Sequence, residues 1–157
     1  MKFNIKRLII SLILPQLAGL IGSFFTVSAI TSWYSGLEKP SFSPPNWLFG
    51  PAWLTLYFLM GISIYLIWQR IDENQKAKKA FWVFWIHLVF NASWSLMFFG
   101  LKNPGLALIN IIIIWLLIIV LIVKFWNIDK RSSCLLIPYL AWVSFASLLN
   151  YFILILN

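Results

Sequence analysis

His87, Asn91 and Trp94 stand at i, i+4 and i+7 in an otherwise apolar run, so in a helix they share one face. Trp142, Ala146 and Asn150 repeat at intervals of four in a second run, with Pro138 one turn earlier, and Phe49, Trp53 and Tyr57 repeat at four in a third. Each set supplies aromatic rings with a polar group, and in one case a small residue that leaves space. Converging, the three faces would wall an aromatic pocket with a few orienting hydrogen bonds, the make-up of a site for a flat apolar ligand. The competing reading of His87 and Asn91 is that they bond neighbouring helices. One Cys and one His exclude an intramolecular disulfide and a His/Cys zinc cluster within the chain, so no metal and no intrinsic cofactor are expected. No Asp or Glu falls inside an apolar run, which removes carboxylate proton relays, carboxylate cation sites, Ser/His/Asp triads and two-carboxylate mechanisms.

The elements that must position these faces follow from composition. Of 157 residues 62% are hydrophobic and 10% charged, and only Glu38, Asp72, Glu73 and Asp129 are acidic. Too few polar groups remain to solvate a globule, and the same apolar content excludes intrinsic disorder. Five apolar runs of the length that crosses a hydrocarbon core lie at 8–30, 47–68, 80–100, 105–126 and 135–156. They lack period-2 alternation and so read as helices, which satisfy their own backbone in lipid. The expected fold is an all-α membrane protein, a single five-transmembrane-helix domain over residues 1–157.

The formal charge of +8 is explained by sorting rather than by nucleic acid. Lys2, Lys6, Arg7, Arg70, Lys76, Lys78, Lys79, Lys124, Lys130 and Arg131 fall on one side of the five runs, and only Lys39 and Lys102 on the other. The positive-inside rule then predicts a multi-pass protein with its N-terminus cytoplasmic and its C-terminus outside. Val27-Ser28-Ala29 mimics a signal-cleavage site, but the first run exceeds a signal-peptide core and is expected to be retained. Ser11, Pro15, Ala18, Gly19, Gly22, Ser23 and Thr26 form a stripe of small residues along it, suited to close helix packing inside the bundle, or second to a dimer seam.

The connections are short except residues 31–46, where Pro40, Pro44 and Pro45 forbid continuous helix. A loop of this length in a compact bundle is often functional. Trp33, Trp47, Trp68, Trp126, Tyr65 and Tyr151 sit near the run ends and read as interfacial belt residues. Trp53, Trp94, Trp115 and Trp142 lie deep inside the runs, where the belt argument fails. Glu38 and Lys39 read as a solvated pair, and Cys134 as an interfacial thiol beside Lys130 and Arg131.

Trp33-Tyr34, Leu37, Lys39-Pro40, Pro44-Pro45, Trp47, Phe49-Gly50-Pro51, Trp53, Leu56-Tyr57 and Met60-Gly61 together resemble the first loop and second helix of the tryptophan-rich sensory protein/translocator protein (TspO/MBR) family. The likeness continues through Asn91, Trp94 and Phe98-Phe99-Gly100, through Pro138 to Trp142, Phe145-Ala146 and Leu149-Asn150-Tyr151, and through Pro15, Gly19 and Gly22. It implies a five-helix bundle, commonly a homodimer, whose pocket opens toward the first loop. The implied ligands are tetrapyrroles such as protoporphyrin IX and isoquinoline or benzodiazepine-type drugs, with roles in tetrapyrrole regulation and stress response. The pocket would be formed by Phe49, Trp53, Asn91, Trp142, Ala146 and Leu149, with Ser23, Thr26 and Trp33 at a lid made by residues 31–46. The face analysis adds Tyr57, His87 and Trp94. The resemblance also implies that Trp53 and Trp142 would be the catalytic pair if the protein degrades porphyrin in light, and porphyrin or small-lipid transport is a third reading. Three positions depart from the family. Leu149 and Tyr151 are followed by no basic residue, which argues against the cholesterol motif. Asn110 stands where relatives carry Asp, and His87 where many carry Gln, which makes its imidazole a candidate ligand for a metalloporphyrin iron.

Overall fold

The computed structural model describes residues 3–157, so Lys2 of the basic tail lies outside the described residues. Among the described residues five helices are long and apolar enough to cross a membrane. They are α1 (Ile5–Ile30), α2 (Phe49–Trp68), α3 (Gln75–Ser95), α4 (Pro104–Trp126) and α6 (Ile137–Leu156), with a short α5 (Lys130–Cys134) before the last. Helices α1 and α3 and the α5–α6 unit begin earlier than the apolar runs suggest, because polar first turns are held by caps that hydropathy does not register. Asn4 accepts from the Arg7 amide, Asn74 from the amides of Lys76 and Ala77, and Asp129 from the Arg131 amide. Lys6, Arg7, Lys76, Lys78 and Lys79 are thus helical residues.

The last turn of α3 widens into a π-helical segment, Leu96–Gly100. Leu101 then bonds back to the Leu96 carbonyl at 2.7 Å, and Lys102 takes a positive φ of 52°. Asn103 caps α4 through the Leu106 amide at 2.9 Å, and Pro104 opens the helix where its missing N–H costs nothing. The long loop contains two single 3-10 turns, Tyr34–Gly36 and Asn46–Leu48, and no longer helix.

Small residues let α1 approach its neighbours. Pro15 has no N–H to donate to the Ser11 carbonyl, and at Gly61 on α2 an added Cβ would lie 2.8 Å from that oxygen. A Cβ at Gly19 would overlap the Tyr57 ring, and one at Gly22 would lie 2.9 Å from Ser95 Oγ. The stripe therefore serves packing within the bundle, α1 against α2 and against the C-terminal part of α3.

The solid core lies toward the end that carries most of the basic residues. Met60, Ile64 and Ile67 of α2, Ala77, Ala80 and Phe84 of α3, and Ile118, Leu121 and Phe125 of α4 are completely or almost completely buried there with Leu136. Ser63 and Ser132 donate hydroxyl hydrogens to each other's carbonyls, both at 2.8 Å, and so pin α2 to α5. Arg7 reaches the Trp68 carbonyl at 2.9 Å and Asp72 at 2.8 Å, tying the start of α1 to the end of α2.

Candidate ligand-binding site

Toward the loop end the packing opens. A cavity of about 790 Å³ lies among α1, α2, α3 and α6, with Ile111 and Ile114 of α4 behind it. Its wall contains three in-span indoles, Trp53, Trp94 and Trp142, together with Phe49, Phe98 and Phe99. Trp94 stacks on Phe98 with centroids 4.9 Å apart, and Phe49 meets Trp142 edge-on at 6.0 Å. Adjacent residues of an ordinary α-helix point about 100° apart. The π-helical segment occurs where both Phe98 and Phe99 reach the wall.

Ten of the twelve residues expected at the site line this cavity: Ser23, Thr26, Phe49, Trp53, Tyr57, Asn91, Trp94, Trp142, Ala146 and Leu149. Two do not. Trp33 packs behind the wall, edge-on to Phe98 at 5.6 Å, while its neighbour Tyr34 takes the lining position. His87 is one helical turn deeper than Asn91, completely buried, with Nε2 2.9 Å from the Tyr139 hydroxyl. Its imidazole thus faces a protein partner and not the cavity, which leaves an axial-ligand role without access. Periodicity places His87 on the right face but says nothing of depth.

A buried polar chain forms the cavity floor. The Tyr57 hydroxyl donates to Asn91 Oδ1 at 2.8 Å, and Asn91 Nδ2 donates to the Tyr139 hydroxyl at 2.8 Å, which also meets His87. Three helices, α2, α3 and α6, are joined by these four side chains. The element that sequence reasoning missed is Tyr139, completely buried and one turn before Trp142. The available signal was its i−3 spacing from Trp142, which places both on one side of α6.

Trp94, Asn150, Ser23 and Thr26 on the wall are also engaged. Trp94 Nε1 donates to Asn150 Oδ1 at 3.2 Å, and Asn150 Nδ2 to the Pro104 carbonyl at 2.8 Å. Ser23 and Thr26 return their hydroxyl hydrogens to the Leu20 and Gly22 carbonyls of their own helix. The Trp142 indole nitrogen is buried without a partner among the described residues. Outside the cavity, Trp115 Nε1 donates to Ser144 at 2.8 Å, and Asn110 Nδ2 to Ser93 at 2.8 Å, so both hold helices together. A space that is apolar, aromatic and poor in free donors selects for shape and stacking more than for charge.

The loop closes over this end without a Glu38–Lys39 ion pair. Instead Asn157 clasps the Glu38 backbone, accepting from its amide at 2.9 Å and donating to its carbonyl at 3.0 Å. The Lys39 ammonium lies 4.7 Å from the Tyr34 ring centroid and donates to the Leu37 carbonyl. Burial of Tyr34 raises its phenol above the ordinary tyrosine range, with a Ser43 hydrogen bond opposing the rise.

Five long apolar helices around an aromatic cavity define a multi-pass integral membrane protein. Residues 11–156 match the TspO/MBR family. The chain is 46% identical over 154 residues to "Tryptophan-rich protein TspO" of Archaeoglobus fulgidus, covering 98% of this chain and 99% of that protein. It is 39% identical to "Tryptophan-rich protein TspO" of Chlorobaculum tepidum, over 88% of each chain. It is 36% identical to the human "Translocator protein", over 87% of this chain and 82% of that protein. The protein belongs to the TspO/MBR family.

Proposed function

We propose that this protein is a membrane-embedded binding protein for a flat tetrapyrrole of the protoporphyrin IX type, acting in tetrapyrrole sensing and stress response, and that isoquinoline or benzodiazepine-type molecules share its cavity. The observation that carries the reading is the pairing of volume with wall chemistry. About 790 Å³ bounded by Trp53, Trp94, Trp142, Phe49 and Phe98 suits a large conjugated ring. It falls within the roughly 300–1,000 Å³ of small-molecule sites. Family membership supports the same class of ligand. The Tyr57–Asn91 pair offers the macrocycle an orienting polar contact at the floor, and Trp53 and Trp142 offer stacking faces.

Titration of protoporphyrin IX into the purified protein in nanodiscs, followed by tryptophan quenching and the Soret band, tests this. Replacing both Trp53 and Trp142 by Phe is expected to weaken binding about tenfold, which corresponds to roughly 1.4 kcal/mol. Unchanged affinity in that double variant overturns the assignment of the cavity as the porphyrin site.

A further inference from the structure

The cavity is not closed on all sides, and its open side faces hydrocarbon. Among its lining residues, those from α3, α4 and α6 are buried or half-buried. The exposed ones all come from α1, the turn before α2 and the first turns of α2: Leu20 is 63% exposed, Val27 70%, Trp47 71% and Leu54 61%, and Ser23, Asn46 and Gly50 are exposed as well. At Gly61 and Gly19 the two helices touch, whereas a Cβ added at Gly50 would meet nothing within 4 Å. The α1–α2 seam is therefore tight toward the basic end and parted toward the loop end. The Gln16 carboxamide, donating to the Leu54 carbonyl at 3.2 Å, bridges the helices at the deep end of the gap.

Depth decides what the gap faces. Leu20 lies ten residues from the end of α1 at Ile30, about 15 Å at 1.5 Å per residue, so the gap runs from the loop end to near the middle of the bilayer. A shallow groove on the outer side of α1, lined by Leu20, Phe24 and Val27 with Ser23 and Ser28, continues the gap onto the lipid-facing surface. The Ser23 hydroxyl there donates to the Leu20 carbonyl at 2.8 Å, and the Ser28 carbonyl accepts from the Ser32 hydroxyl at 2.8 Å, while Leu20, Phe24 and Val27 keep the lips mainly apolar. At the mouth stand Asn46 and Trp47, an amide and an indole of the kind found at headgroup level.

We infer that the α1–α2 gap is a lateral portal that admits an acyl chain of the surrounding phospholipid, and that this chain occupies the cavity when no other ligand does. Hydrocarbon is the mobile phase at that depth, and an apolar space continuous with it fills with chain and not with water. A ligand entering from the bilayer must displace that chain along the same path. This inference requires the membrane-spanning fold but not the porphyrin reading.

The full chain reconstituted with a phosphatidylcholine carrying a diazirine in its acyl chain tests it, with adducts mapped by peptide mass spectrometry after irradiation and no porphyrin present. Adducts are expected on Trp94, Trp142 and Ala146 at the inner wall, alongside outward Leu116, which is 53% exposed on α4. Filling the gap with Gly50→Trp, or from the opposite lip with Val27→Trp, is expected to lower the inner-wall adducts at least fivefold while Leu116 labelling holds. Adducts confined to outward residues, or inner-wall labelling that neither variant reduces, overturn the portal. Because the readout is lipid alone, failure of porphyrin titration leaves it untouched.

Discussion

The halves of the bundle toward the basic end and toward the loop end use the same aromatic and aliphatic residues to opposite ends. Near the basic end Phe84 is enclosed on every side, with Trp85 edge-on at 5.2 Å, and helices α2 and α5 are fixed by reciprocal serine bonds. Near the loop end Phe49, Trp53 and Trp142 line the cavity, and the polar chain Tyr57–Asn91–Tyr139–His87 marks the boundary between the halves. In lipid, helix association depends on van der Waals fit and interhelical hydrogen bonds, because the solvent is as apolar as the core. A half that fits closely therefore holds the fold, and a half that leaves a void is supported from below.

A matched pair of truncations separates the two halves most strongly. Phe84→Ala is expected to cost about 3–5 kcal/mol, since it opens a cavity in a filled region. Phe49→Ala, which enlarges a space already present, is expected to cost under about 1 kcal/mol. Unfolding in detergent micelles measures both, and equal losses would remove the distinction between the halves. A smaller effect is expected at the boundary. Tyr139→Phe leaves Asn91 Nδ2 and His87 Nε2 without their buried partner, a loss of roughly 1–3 kcal/mol. A neutral substitution there would show that the floor does not hold α6 in place. At the serine lock, a double-mutant cycle over Ser63→Ala and Ser132→Ala is expected to show a coupling of about 0.6 kcal/mol, the usual size of an interhelical bond in lipid. A coupling of zero would mean that packing alone closes the basic end.

How far these halves are legible in the sequence depends on what helical periodicity encodes. Five spans are plain because runs of about 20 apolar residues have no other reading. The caps Asn4, Asn74 and Asp129 are not, because the turns they start are polar and lie outside those runs. For the cavity, spacing fixes azimuth, so Phe49, Trp53, Tyr57, Asn91, Trp94, Trp142 and Ala146 are found from intervals of four and seven. Depth along the axis is set by how helices slide past one another, which no single span records. Spacing therefore puts His87 on the wall although it sits beneath the floor, and it assigns Tyr139, part of the Pro138–Trp142 segment, no role at the floor it holds. Trp33 and Tyr34 exchange roles for a further reason, since a loop has no period from which to choose the inward residue.

The smallest expected effect concerns acid, and it belongs to the basic end. Asp129 caps α5 and is held by the Arg131 guanidinium at 2.9 Å, and that hydrogen bond keeps its carboxyl below the ordinary aspartate range against the opposing effect of burial. The Arg131 amide and the charge of Arg70 act in the same direction. Because the folded-state value lies below the unfolded one, the stabilisation is complete above the unfolded value of about 3.9. It disappears as pH falls through the lowered folded value. Stability should accordingly decline on acidification below about pH 4. Arg131→Gln, which keeps the amide but removes the guanidinium, is expected to flatten that decline, and Asp129→Asn, which keeps a capping oxygen but cannot titrate, to flatten it further. Melting temperatures of the three proteins between pH 3 and 6 measure this. A parent and an Asp129→Asn variant with parallel acid slopes would assign the dependence to some other carboxylate, and the closure of the basic end would then rest on packing, the serine lock and the Arg7 contacts to Trp68 and Asp72.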